Sequence, residues 1–109
     1  MSEILEIVTF TMKPGVTDAQ VLAAADALQR DVEHLHGYVA RRLLKTDDGT
    51  WVDMVRWTSV EAAHAAARLV EAAPSAQAFM EITDVEGIRM LHARPVREYA
   101  PAGGPAPAR

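Results

Sequence analysis

The chain has no cysteine, which excludes disulfides and thiolate metal ligation and suits a reducing compartment. Positive charge is not in excess: Lys and Arg total 11 against 15 Asp and Glu, leaving a net charge of −4 at pH 7. Neutralising a phosphate backbone takes a basic stripe, and the arginines are scattered, so no nucleic-acid partner is expected. No apolar run approaches the ~18 residues that argue for a membrane-spanning helix. Glu3 and Glu6 fall where a secretion signal would need an unbroken apolar core, so no membrane is implied and the expected location is cytoplasmic. There is no Gly-rich phosphate loop, no serine-centred elbow, and no pair of histidines at metal-ligand spacing. Nucleotide binding, nucleophilic catalysis and a metal site are therefore unsupported. Aromatic residues make up only 6%, so the position of each one is informative.

What is present is a globular composition, with half of the 109 residues hydrophobic. A chain of this length forms one domain and buries roughly 65% of its unfolded surface. The first strand is read as Ile4 to Met12, stopped by Lys13-Pro14-Gly15. Thr17 and Gln20 form a capping box, and Val16 and Val21 a hydrophobic staple, for a helix carrying Val21, Ala25, Leu28, Val32 and Leu35 on its buried face. Gly37 supplies the left-handed stop. Tyr38 to Lys45 and Thr50 to Trp57 read as a hairpin around Asp48-Gly49. Thr58 with Glu61 opens a second helix to about Ala73, and Pro74-Ser75 starts a short third one with Phe79 and Ile82. Ile88 to about Tyr99 is the last strand, with Pro95 marking an edge position or a strand end. Residues 1–99 make the domain; residues 100–109 are a disordered Pro/Ala/Gly tail.

The order βαββαβ implies an α+β, ferredoxin-like domain: an antiparallel sheet with helices on one face. The strands carry apolar residues on both faces, and helices can cover only one. A homodimer formed through the uncovered sheet faces is therefore expected.

The segment Trp51-Val-Asp53-Met-Val55-Arg-Trp57 places two indoles and a carboxylate on one strand face. A carboxylate in such apolar surroundings is a candidate general base, Asp53, unless it pairs with an arginine such as Arg42 across the hairpin. His92, sharing a face with Ile88 and Met90, is a candidate proton shuttle or an interface histidine. Trp57 is a candidate stacking wall or core residue, and Tyr38 could orient a ligand oxygen. The helical wheel puts His64 on the exposed arc with Glu61, Arg68 and Glu71. The alanines of the second helix leave room either for close helix–sheet approach or for a ligand.

The element order, the junction Val55-Arg-Trp57-Thr-Ser-Val-Glu-Ala-Ala and the aromatic Phe79 resemble the antibiotic biosynthesis monooxygenase (ABM) domain of the dimeric α/β-barrel superfamily. The resemblance spans roughly residues 3–99. It implies a pocket between sheet and helices lined by Trp57, with Phe79 as a further substrate-binding aromatic. The superfamily includes cofactor-free oxygenases of quinol-like substrates, haem degraders and signal-molecule isomerases. Haem degraders use an Asn on the first strand, where this chain reads Glu6-Ile7-Val8-Thr9-Phe10, and a His on the second helical segment, where it has alanines. Haem degradation is thus disfavoured. The expected function is a cofactor-independent monooxygenase, or related proton-transfer enzyme, acting on a small aromatic molecule with Asp53 or His92 as base. The alternative is a non-catalytic protein that holds a small apolar ligand, or a purely structural dimer.

Overall fold

The computed structural model describes residues 3–103. Most of the tail expected to be disordered, residues 104–109, lies outside them. The elements run β1 (Ile4–Phe10), α1 (Asp18–Val32), β2 (Tyr38–Lys45), β3 (Trp51–Trp57), α2 (Val60–Glu71), α3 (Pro74–Ile82) and β4 (Arg89–Ala93), with a single 3-10 turn at Val85–Gly87 before β4. The sheet is antiparallel with order β2-β3-β1-β4, and the helices pack on one face. This is the ferredoxin-like α+β arrangement.

Local chemistry sets the boundaries. The capping box forms as the sequence implies: Thr17 Oγ1 accepts from Gln20 N at 3.2 Å, and the Gln20 side chain accepts from Thr17 N at 2.8 Å. At α2 the cap is Ser59, not Thr58: its hydroxyl accepts from Ala62 N at 3.1 Å. The last strand stops at Ala93 rather than running to Tyr99. Arg94 precedes a proline, Pro95 has no N–H for a ladder, and the segment beyond is exposed. β4 is an edge strand, as Pro95 suggests.

Strand alternation sorts the side chains. Ile4, Glu6, Val8 and Phe10 of β1 and Trp51, Asp53, Val55 and Trp57 of β3 face the helices. Two apolar clusters follow. One gathers Ile4, Val32, Val55, Trp57, Ala62, Ala63 and Ala66; the other gathers Phe10, Val21, Ala25, Trp51 and Phe79. Small residues permit the first: Gly37 passes so near α2 that a Cβ on it would lie 2.5 Å from the Ala62 side chain.

Candidate functional site

Between the sheet and the three helices lies a cavity of about 620 Å³. Val8, Phe10, Val55 and Trp57 form its sheet side, Leu28 and Val32 come from α1, Ala66, Ala67 and Val70 from α2, and Phe79 and Met80 from α3. The alanines of α2 divide their work. Ala62 and Ala63 are buried in the core, where they allow close approach; Ala66 belongs to the same cluster and also borders the open space, as does Ala67.

The charged groups follow from register. Cross-strand pairing places Arg41, Val55, Glu6 and His92 in one row across the sheet, with Leu43, Asp53, Val8 and Met90 in the next. Long side chains reach their diagonal neighbours in such a ladder. Arg41 accordingly grips Asp53: Nε donates to Oδ1 at 2.9 Å and Nη2 to Oδ2 at 2.8 Å. Arg41 Nη1 donates to the Ala25 carbonyl at 3.0 Å and to Gln29 Oε1 at 3.2 Å. The pair is buried, with side chains 6% and 12% exposed. The partner of Asp53 is thus Arg41, not Arg42, which lies on the opposite sheet face.

The second diagonal joins Glu6 to Trp57, whose Nε1 donates to Glu6 Oε1 at 3.4 Å. The other carboxylate oxygen lies 3.3 Å from His92 Nε2. Glu6 lines the cavity and its side chain is 13% exposed; His92 stands behind it on the edge strand. His92 in turn meets the ring of His64 edge to face, with centroids 5.3 Å apart and planes at 87°. His64 is exposed, as its helical position implies, but its ring packs on His92 rather than serving only a ladder of charges along its own helix.

Of the residues singled out from sequence, Asp53, Trp57 and Phe79 line the cavity, and His92 reaches it through Glu6. Tyr38 does not line it. Its ring packs edge to face on Trp57, and its hydroxyl accepts from Gln29 Nε2 at 2.9 Å. Glu6 is the group that the sequence reading passed over. The signal was available: the alternation Ile4, Glu6, Val8, Phe10 puts one carboxylate on an otherwise apolar face. Among the described residues, no group of three His, Asp or Glu side chains could hold a metal ion, and no helix is long and apolar enough to cross a membrane.

No protein-family model and no curated protein matches the chain. Solved structures do. A single-substitution variant of SnoaB, a cofactor-independent oxygenase from Streptomyces nogalater, superimposes with a TM-score of 0.76 at 17% identity, over 89% of this chain and 96% of that one. A Bordetella bronchiseptica protein provisionally designated an antibiotic biosynthesis monooxygenase gives 0.76 and 17%, over 89% of this chain and 100% of its own. A Nitrosomonas europaea protein of unknown function gives 0.70 and 18%, over 94% and 98%. At such identities the likeness is one of fold: the chain shares the ferredoxin-like α+β fold of these proteins.

Proposed function

We propose that the cavity binds a small planar aromatic molecule with an acidic proton, a phenol or quinol, and that Glu6 removes that proton. The observation that carries this is the Glu6 carboxylate at the wall of an apolar cavity, held by Trp57 Nε1 at 3.4 Å and His92 Nε2 at 3.3 Å. A base must lie within reach of the proton it takes and must be oriented. Glu6 meets the second condition through the Trp57 N–H and the His92 ring nitrogen, which come from different strands. Asp53 is the weaker candidate because both of its oxygens accept from Arg41. Its role is to anchor that guanidinium.

Four of the five N–H donors of Arg41 are engaged, which leaves one on Nη2 for a ligand oxygen. Arg41 and Glu6 are two strands apart in the same row with Val55 between them, a Cα separation of roughly 10 Å from strand spacing alone. A flat ring system laid over Val55, with Trp57 and Phe79 as aromatic walls, would span from one to the other.

Proton loss from a quinol-like ligand leaves an electron-rich anion that can itself reduce O2. A ring C–H bond breaks as the C–O bond forms, and the second oxygen atom leaves as water with two of the ligand's hydrogens. The ligand, which supplies all four electrons, ends as a quinone. The fold shared with a cofactor-independent oxygenase is consistent with this chemistry, although a fold alone does not specify a reaction. A homodimer belongs to the same proposal. Leu5, Ile7, Val52, Met54, Leu44 and Leu91 crowd the sheet face opposite the helices, a surface that a second copy would cover. Light scattering at micromolar concentration checks it, and a monomer refutes it.

The decisive experiment screens hydroxylated aromatics by thermal shift and then follows O2 uptake in wild type and Glu6→Gln. The expected result is retained binding with turnover reduced at least ~100-fold, the lower range for loss of a positioned base. Equal turnover in the variant sinks the mechanism. Ligand stabilisation without any product would leave a binding protein.

A further inference from the structure

We infer that Glu6, His92 and His64 form a proton relay from the cavity wall to solvent, with His64 as its outer terminus. The inference rests on the reading of Glu6 as the cavity base and extends it to the fate of the proton. Two strands and a helix, β1, β4 and α2, supply the three groups, and each successive group is nearer the surface. The Glu6 side chain is 13% exposed, that of His92 is 24% exposed, and His64 is an exposed residue of α2. Glu6 Oε2 stands 3.3 Å from His92 Nε2, and the two imidazoles meet with centroids 5.3 Å apart.

A base must shed its proton before it can act again. With a ligand seated against it on the cavity side, His92 is the titratable group in contact with the carboxylate from behind. His92 is placed for this purpose. From β1 it faces the Glu6 carboxylate, and from α2 it faces the His64 ring. β3 brings the neutral Trp57 indole to the same carboxylate, while the charge of Asp53 on that strand is taken up by Arg41. The transfer balances without any co-reactant. With His92 in its Nδ1–H tautomer, the carboxyl O–H breaks as an N–H forms at Nε2, and the proton on Nδ1 leaves for His64 or for a water beside it. The Nε2–H form that results donates to the regenerated carboxylate, and exchange of its ring protons with water restores the Nδ1–H form. The carboxylate is regenerated, one proton has moved from cavity to solvent, and no electrons are exchanged. Histidine is suited to both positions because an imidazole can accept a proton at one ring nitrogen and release one from the other.

A purely structural account would have His64 and His92 as packing partners only. The two accounts differ in proton exchange, which can be read on the full chain with no ligand present. With 15N-labelled histidine, NMR reports the ring tautomer of His92 and the rate at which its ring protons exchange with water. His64→Gln keeps a polar side chain at an exposed site and removes the relay. It is expected to slow exchange at His92 by about 100-fold, the lower range for a positioned acid–base group. Free imidazole in the buffer should restore the rate, a rescue that packing alone would not give. Glu6→Gln should change the His92 tautomer, because Nε2 loses a charged acceptor. Unchanged exchange in His64→Gln, or slowed exchange that imidazole fails to rescue, overturns the relay. If the relay behaves as expected but no hydroxylated aromatic binds, it is the proposed substrate class that falls.

Discussion

Arg41 and Asp53 are locked across the β2–β3 hairpin by a two-point contact at 2.9 and 2.8 Å, with both side chains almost wholly removed from water. Two desolvated charges cost more than their attraction returns unless the geometry is good, and loss of either partner strands the other. Asp53→Ala is therefore expected to destabilise the fold by about 3–5 kcal/mol. The double variant Arg41→Leu/Asp53→Leu should lose far less. Urea unfolding of the two variants measures the difference, and equal losses would show that the pair is not acting as a unit.

The cavity owes its volume to small side chains on α2. Ala67→Leu would project an isobutyl group into it, with little effect on a core that lies elsewhere. The expected outcome is a thermal midpoint at or above that of wild type, with loss of stabilisation by aromatic ligands. Ligand shifts that survive this substitution would place the ligand outside the cavity.

Two glycines separate backbone strain from crowding. Gly37 and Gly49 have φ values of +84° and +90°, but a Cβ at Gly49 meets nothing within 4 Å, whereas one at Gly37 meets Ala62 Cβ at 2.5 Å and Thr58 Oγ1 at 2.9 Å. Gly49→Ala should cost about 1–2 kcal/mol for the left-handed conformation alone. Gly37→Ala should cost a further ~1–3 kcal/mol for overpacking. Denaturant midpoints of the two variants test the order.

The hairpin carries a pH signature. A side-chain hydrogen bond from Thr46, with help from the Thr50 backbone, holds the Asp48 carboxyl below its ordinary value. A carboxylate with a depressed folded pKa stabilises fully above its unfolded value, and that contribution is lost as pH falls through the folded one. Asp48→Asn should thus flatten part of the acid limb of the stability curve and leave its neutral plateau without a slope of its own. Stability measured from neutral pH down to pH ~3, below the reference value for an aspartate, decides it. A parallel acid limb in the variant would reject the assignment.

Much of this was legible in the sequence, for physical reasons that differ by element. Strand alternation and the Asp48-Gly49 turn are local, so the faces of β3 and the positions of Asp53 and Trp57 could be read directly. The capping box at Thr17 was equally local. At α2, Glu61 three residues after Thr58 completes the pattern for that residue, yet the backbone makes the adjacent hydroxyl, Ser59, the cap. The partner of Asp53 depended on which face of β2 carries which arginine, a matter of register that no single strand reveals. Glu6 escaped notice because its meaning comes from His92 and Trp57, which reach it from other strands. The position of Tyr38 outside the cavity lining was hidden for a similar reason: its hydroxyl is met by Gln29, which comes from a helix.

The Glu6–His92 contact joins positions 86 residues apart in the chain. Closing so long a loop is a late and entropically expensive event, since distant pairings form only after nearer ones have organised the chain. While the polypeptide is being made, the Glu6 carboxylate of β1 emerges 86 residues before the histidine that meets it. A partly folded or nascent chain could hold an aromatic molecule against its apolar surfaces but would lack the completed proton pathway. Chemistry would then switch on only with the docking of the final strand, so that activity itself would report that folding is complete.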